Sequence, residues 1–192
     1  MPAPAQEPVV RPAMRRPRDS PDEGLVGAVF PDVDLPDQDG IVRRLSELAD
    51  GDPLLVQFFR GPWCPKEQTW FRELLRLQDA ADVAYTRMVS ISVDPTETLR
   101  GLRDGLGARW PFLSDVERRW IERLDLRETT DTIHDPYAPY VFVLLPDLEV
   151  SAAWNGYWYW GRPCREELWT ALRAATRRLR PDWTPDEPDR RG

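Results

Sequence analysis

Pro53-Leu54-Leu55-Val56-Gln57-Phe58-Phe59, followed at once by Arg60-Gly61-Pro62-Trp63-Cys64-Pro65-Lys66-Glu67, is the stretch from which the rest of the chain can be read. Its first half is a short, nearly unbroken apolar run, the pattern of a strand buried on both faces. Its second half turns through Gly61-Pro62 and opens a helix at Pro65. Proline suits a first helical turn, because its missing N–H has no partner to lose there. Trp70, Phe71, Leu74, Leu75 and Leu77 give this helix an apolar face that runs to about Gln78. Cys64 stands at the junction, where free N–H groups and the positive end of the helix dipole favour thiolate over thiol. Arg60 and Lys66, the only lysine, add positive charge nearby. The competing reading of Cys64 is a buried, inert thiol.

Outward from this stretch, strands and helices alternate. Val33-Leu35 and Ile41-Leu45 flank Asp37-Gln38-Asp39-Gly40 and read as a hairpin, with Ser46 capping a short helix through Leu48. After the Cys64 helix, Val83 to Val93 reads as a strand. Asp94-Pro95 ends it and starts a helix through about Leu106. Val116 to Leu124 reads as a further helix, and Val141-Leu145 with Val150-Trp154 as a strand pair turning at Pro146-Asp147. Pro163 begins a last helix that runs to about Leu179. The alternation predicts an α/β domain with a central mixed sheet flanked by helices and an N-terminal β-hairpin extension.

The expected domain spans residues 24–180. Residues 1–23 hold six prolines and four arginines with few large apolar side chains, so they read as a disordered arm, and 181–192 as a disordered tail. The 192 residues are 41% hydrophobic, enough for a core of ordinary size. A net charge of -7 gives no footprint for nucleic acid or an anionic membrane. No apolar run approaches the ~18 residues of a membrane span. Arg15-Arg16 is followed by no apolar segment, so no export signal is read and the cytoplasm is the expected location. One histidine, His134, and two separated cysteines, Cys64 and Cys164, offer too few ligands for a metal, so neither metal nor cofactor is expected.

Several blocks in order resemble the alkyl hydroperoxide reductase/thiol-specific antioxidant proteins, the peroxiredoxin-like branch of the thioredoxin-fold superfamily. They are Gly27-Ala28-Val29-Phe30-Pro31-Asp32, the Asp39-Gly40 turn, Leu45-Ser46-Glu47-Leu48, Phe59 to Pro65, Pro111-Phe112-Leu113-Ser114-Asp115, and Gly161-Arg162 with Glu166-Glu167-Leu168. Cys64-Pro65-Lys66-Glu67 is similar to the Cys-Pro-Thr-Glu loop of peroxiredoxins. Gly61 stands where those proteins carry a threonine, and Glu67 where many relatives carry a second cysteine. Pro139 resembles the proline that thioredoxins place beside the thiol.

The resemblance implies a thioredoxin-like fold and thiol-dependent reduction of peroxides, with Cys64 as nucleophile. Arg60 is the candidate for stabilising its thiolate, Glu67 for accepting a hydrogen bond or orienting Arg60, and Arg162 for support from the start of the last helix. With no dithiol motif, an external thiol is the expected reductant, in the manner of a one-cysteine enzyme. Cys164 is a candidate resolving thiol if its loop can move to Cys64, and otherwise a small residue at a helix start. Trp63, Pro139, Trp158, Trp160 and Arg162 are candidates for a pocket holding a peroxide or thiol compound. The aromatic loop Trp154 to Arg162 is read either as a strand burying one face or as a surface for a ligand or a second copy of the chain. His134 is read as an exposed loop residue or as a base for Cys64. Charge placement predicts that Cys64 alkylates faster than Cys164. A thiol transferase acting on a small organic substrate, and a non-catalytic redoxin-fold binding module, are the alternative functions.

Overall fold

The computed structural model describes residues 22–183. The apolar run forms β3 (Leu54–Phe58), after a hairpin of β1 (Asp34–Pro36) and β2 (Val42–Arg44) and a short helix α1 (Leu45–Ala49). Then follow α2 (Pro65–Val83), β4 (Arg87–Ser92), α3 (Thr96–Leu106), β5 (Phe112–Ser114), α4 (Arg119–Arg123), β6 (Tyr140–Leu144), β7 (Val150–Asn155) and α5 (Arg165–Leu179). The five-stranded sheet has the order β5-β4-β3-β6-β7, with β3 at its centre. β4 and β5 run parallel to β3, β6 runs antiparallel, and β7 reverses again to run parallel to it. This is the expected mixed sheet with helices on both faces and a separate two-stranded hairpin.

Every residue of β3 is buried, and alternate side chains enter different cores. Leu54, Val56 and Phe58 pack with Phe30, Phe142, Trp120 and Ile121 on one face. Leu55 and Phe59 pack with Trp70, Phe71, Leu74, Phe112 and Leu168 on the other. An apolar run without alternation is what a strand between two cores requires. Trp110 and Trp120 are both core residues.

Several element boundaries differ from the sequence reading. α2 continues to Val83, because Ala81 still faces the core, and the chain turns at Tyr85 with φ 52°; β4 therefore starts at Arg87 rather than Val83. α4 begins only at Arg119, after Arg118 takes a left-handed conformation. Ser46 lies inside α1 rather than capping it, and donates from both its N–H and its hydroxyl to Asp32. The last helix starts at Arg165, with Cys164 as its N-cap. Of the arm read over 1–23, residues 1–21 lie outside the described residues; Asp22 is buried and Glu23 opens a 3₁₀ turn. Of the tail read over 181–192, Pro181–Trp183 form a 3₁₀ turn, with Trp183 against Tyr85, and the rest lies outside the described residues.

One buried carboxylate holds α4 to the sheet. Asp115 accepts hydrogen bonds from the N–H groups of Trp120 and Ile121 and from the Tyr137 hydroxyl at 2.6 Å. Burial, and then the Asp115 charge, hold the Tyr137 phenol well above its usual range, so it remains the donor. Asp115→Ala is expected to cost about 2–3 kcal/mol of unfolding free energy, since these buried donors lose their acceptor. Urea denaturation checks it, and a loss below ~1 kcal/mol would show that the carboxylate is replaceable.

Candidate active site

The sheet brings three distant segments to one pole. In the register, Phe58 at the end of β3 pairs with Tyr140 at the start of β6, and Tyr140 pairs with Asn155 at the end of β7. The Phe59–Cys64 loop, the segment up to Pro139 and the aromatic loop after Asn155 all leave the sheet there. Pro139 is buried, and its carbonyl accepts the Gly156 N–H at 2.7 Å.

Cys64 is the N-cap of α2, only 3% exposed, and its thiol is free. Its carbonyl takes the N–H groups of Glu67 and Gln68. Arg60 Nη1 lies 3.9 Å from the sulfur. The other guanidinium nitrogen, Nη2, donates to Asp131 Oδ2 at 2.8 Å, so the fork is held between an acid and the thiol. The same guanidinium lies over the Trp63 ring, 5.0 Å from its centroid.

Asp131 is itself held by the turn that follows it. Its Oδ1 accepts the N–H groups of Ile133 and His134, and the His134 ring Nδ1 lies 3.1 Å away. The His134 bonds, backbone first, hold the Asp131 carboxyl below its ordinary range. His134 stacks on Trp63 with ring centroids 3.8 Å apart. Of the two readings of His134, the exposed loop residue fits: its ring is engaged by Asp131 and Trp63 rather than by the thiol. Asp131 is the residue that the sequence reading missed. Its signal was the Asp131-x-x-His134 spacing, which suits a side chain capping its own turn.

Glu67 is fully buried one turn into α2. Its Oε1 accepts the Arg60 N–H at 3.3 Å and Arg162 Nη2 at 2.6 Å. Glu67 thus anchors the backbone of Arg60 and joins it to the start of α5. Burial pushes the Glu67 carboxyl up, while Arg162 and then Arg60 pull it back. Gly156 leaves room for this pair: a β-carbon there would fall 2.8 Å from Arg162 Cγ and 3.0 Å from the Pro139 carbonyl oxygen.

Gly61 has φ 143°, and a β-carbon at this position would lie 2.4 Å from Trp63 Nε1 and 3.3 Å from Asp94 Oδ2. The Trp63 indole therefore occupies the space beside Gly61. Burial raises the Asp94 carboxyl, against a hydrogen bond from Ser92 that lowers it. The structure brings Arg60, Trp63 and Glu67 around Cys64, and links Arg162 to them through Glu67.

Cys164 is exposed and free, and lines a cleft with Tyr159, Trp160 and Arg162. The aromatic loop is not a strand. The sheet ends at Asn155, and Tyr159–Gly161 form a 3₁₀ turn that leaves Trp158 61% and Trp160 90% exposed. Among the described residues no group of three acid, cysteine or histidine side chains is placed to hold a metal, and no helix is long and apolar enough to cross a membrane.

Fold and site together define a redoxin: a thioredoxin-like sheet carrying one cysteine at a strand-to-helix junction, with an arginine on its sulfur. The chain belongs to the AhpC/TSA family, whose model matches residues 26–153. A protein of Mycobacterium tuberculosis that carries a peroxiredoxin name is 35% identical over 94 residues, which cover 47% of this chain and 59% of that protein. Peroxiredoxin bcp1 of Schizosaccharomyces pombe is 28% identical over 102 residues, 52% of this chain and 51% of its own length. The match thus spans little more than half of the length of these relatives. The crystal structure of the peroxidoxin BcpB from Mycobacterium tuberculosis superimposes with a TM-score of 0.68 at 22% identity, covering 81% of this chain and 97% of that one, and shows the same fold.

Proposed function

We propose that this chain reduces peroxides through Cys64, with an external thiol as reductant. The carrying observation is the Arg60 guanidinium at 3.9 Å from Cys64 Sγ, at the N-cap of a 19-residue helix. A cation and the helix terminus both stabilise the thiolate, which is the nucleophile. The thiolate attacks one peroxide oxygen, the O–O bond breaks, and the leaving alkoxide or hydroxide takes up a proton. Cys64 becomes a sulfenic acid. A thiol then condenses with it, releasing water and leaving a mixed disulfide; a second thiol restores the Cys64 thiol and departs as a disulfide. Arg60 touches the reacting sulfur, and Asp131, Glu67 and Arg162 position it. Both cysteines are free, with Cys64 buried and Cys164 exposed, which favours the one-cysteine route over internal resolution. The reading places the protein in the cytoplasm, where thiols remain reduced. The exposed Trp158 is the surface offered to a second copy of the chain.

Mass spectrometry after one equivalent of hydrogen peroxide tests this. Cys64 is expected to gain one oxygen, and to carry the thiol adduct when a trapping thiol is present. An unmodified Cys64 would leave the fold as a binding module. Burial also changes the expected labelling order. Hydrogen peroxide should reach Cys64, whereas a bulky maleimide should modify the exposed Cys164 first. This reverses, for bulky reagents, the order that charge alone suggests. Peptide-level labelling of the native protein reads both, and faster maleimide labelling of Cys64 would show that its loop opens freely.

A further inference from the structure

A cleft of about 490 Å³ lies between α2 and the Tyr159–Glu167 segment, and Cys64 is not among its lining residues. Two residues of its lining, Trp70 and Arg162, each carry a buried donor, the indole N–H and Nη1, that finds no partner among the described residues. Trp70 is 4% and Arg162 8% exposed. Leaving such donors unsatisfied is costly, and Glu67 meets Arg162 through Nη2 alone, so the matching group is an acceptor with two oxygens, one for each donor. The wall is aromatic: Tyr159 lies under the Arg162 guanidinium at 5.5 Å, and the Trp160 indole stands almost wholly exposed. Three acids also line the cleft, and each is met locally. Glu73 pairs with Arg76, Glu166 lies 3.7 Å from Arg165, and Glu167 accepts the Cys164 N–H at 2.6 Å. Their charges disfavour a polyanion and leave room for a single negative group.

We infer that this cleft binds a small monocarboxylate with an aromatic or apolar body, its carboxylate on Arg162 Nη1 and Trp70 Nε1 and its body against Tyr159 and Trp160. The site goes beyond the peroxide reading and does not depend on it. Cys164 at the cleft wall serves as the reporter. The test uses the full chain carrying Cys64→Ser, so that Cys164 is the one thiol, with phenylacetate as probe and phenylacetamide as its neutral counterpart. Phenylacetate at several times its dissociation constant is expected to slow iodoacetamide labelling of Cys164 about fivefold, and to bind one to one in calorimetry. Phenylacetamide should do neither. Trp70→Phe keeps a ring but loses the N–H, and should weaken phenylacetate about tenfold. Trp160→Ala, at an exposed position that cannot disturb the core, should weaken it as well. Equal binding of acid and amide would overturn the inference, as would no protection by either, which would mean that water alone meets the two donors. Because Cys64 is absent from the test protein, failure here leaves the peroxide chemistry standing, and the reverse holds too.

Discussion

Arg60→Met is expected to slow oxidation of Cys64 by hydrogen peroxide about 100-fold or more, the scale on which one preorganised charged donor acts at a reacting centre. The guanidinium makes two side-chain bonds, to Cys64 Sγ and to Asp131, so its loss removes the cation from the sulfur without opening the core. Arg60→Lys should recover little, because a single ammonium lacks the fork that meets both partners. Asp131→Asn should fall between wild type and Arg60→Met, since Arg60 stays but loses the anion that aims it. Single-turnover oxidation followed by tryptophan fluorescence, with circular dichroism as a check on folding, gives the ranking. A wild-type rate in Arg60→Met would remove Arg60 from the chemistry.

Glu67→Ala should be the most destabilising change near the site. It strands the Arg162 guanidinium, whose side chain is 3% exposed, without its anion. Breaking a buried pair in this way costs about 3–5 kcal/mol, well above the worth of a surface ion pair. Glu67→Gln keeps the shape and an acceptor oxygen for Arg60 N–H and Arg162, so it should lose clearly less. Urea denaturation of both variants gives the comparison. A loss within ~1 kcal/mol for Glu67→Ala would mean that water reaches Arg162 and replaces the carboxylate.

The strand, the turn and the cysteine-bearing helix were legible in the sequence because each has a local cause. β3 is apolar at almost every position, and Pro65 marks the first residue of α2. Arg60, Glu67 and Arg162 were legible as candidates because of charge and of family likeness. Their partners were not. Arg60 meets Asp131 across 71 residues, and Glu67 meets Arg162 across 95, separations that carry no periodic signal. The aromatic loop kept two readings for a different reason. Its alternation suits a strand, but Gly156 turns back to bond the Pro139 carbonyl and takes the chain off the sheet before Trp158 and Trp160. The end of α2 was placed too early, because after Gln78 only small Ala81 marks the buried stripe.

The fit between Gly61 and Trp63 bears on how this protein can change over generations. Any side chain at position 61 collides with the Trp63 indole, at 2.4 Å for the first carbon alone, and the φ of 143° penalises it further. A threonine arriving at 61 while the tryptophan remains would be purged. A smaller residue arriving first at 63 would vacate the space, at the cost of the stacking with His134 and the contact with Arg60. The two positions therefore form an epistatic pair with a one-way order: substitution at 63 must precede substitution at 61. Substitution of the glycine alone is opposed by both the contact and the backbone, so descendants of this chain are expected to keep both residues or to lose the tryptophan first.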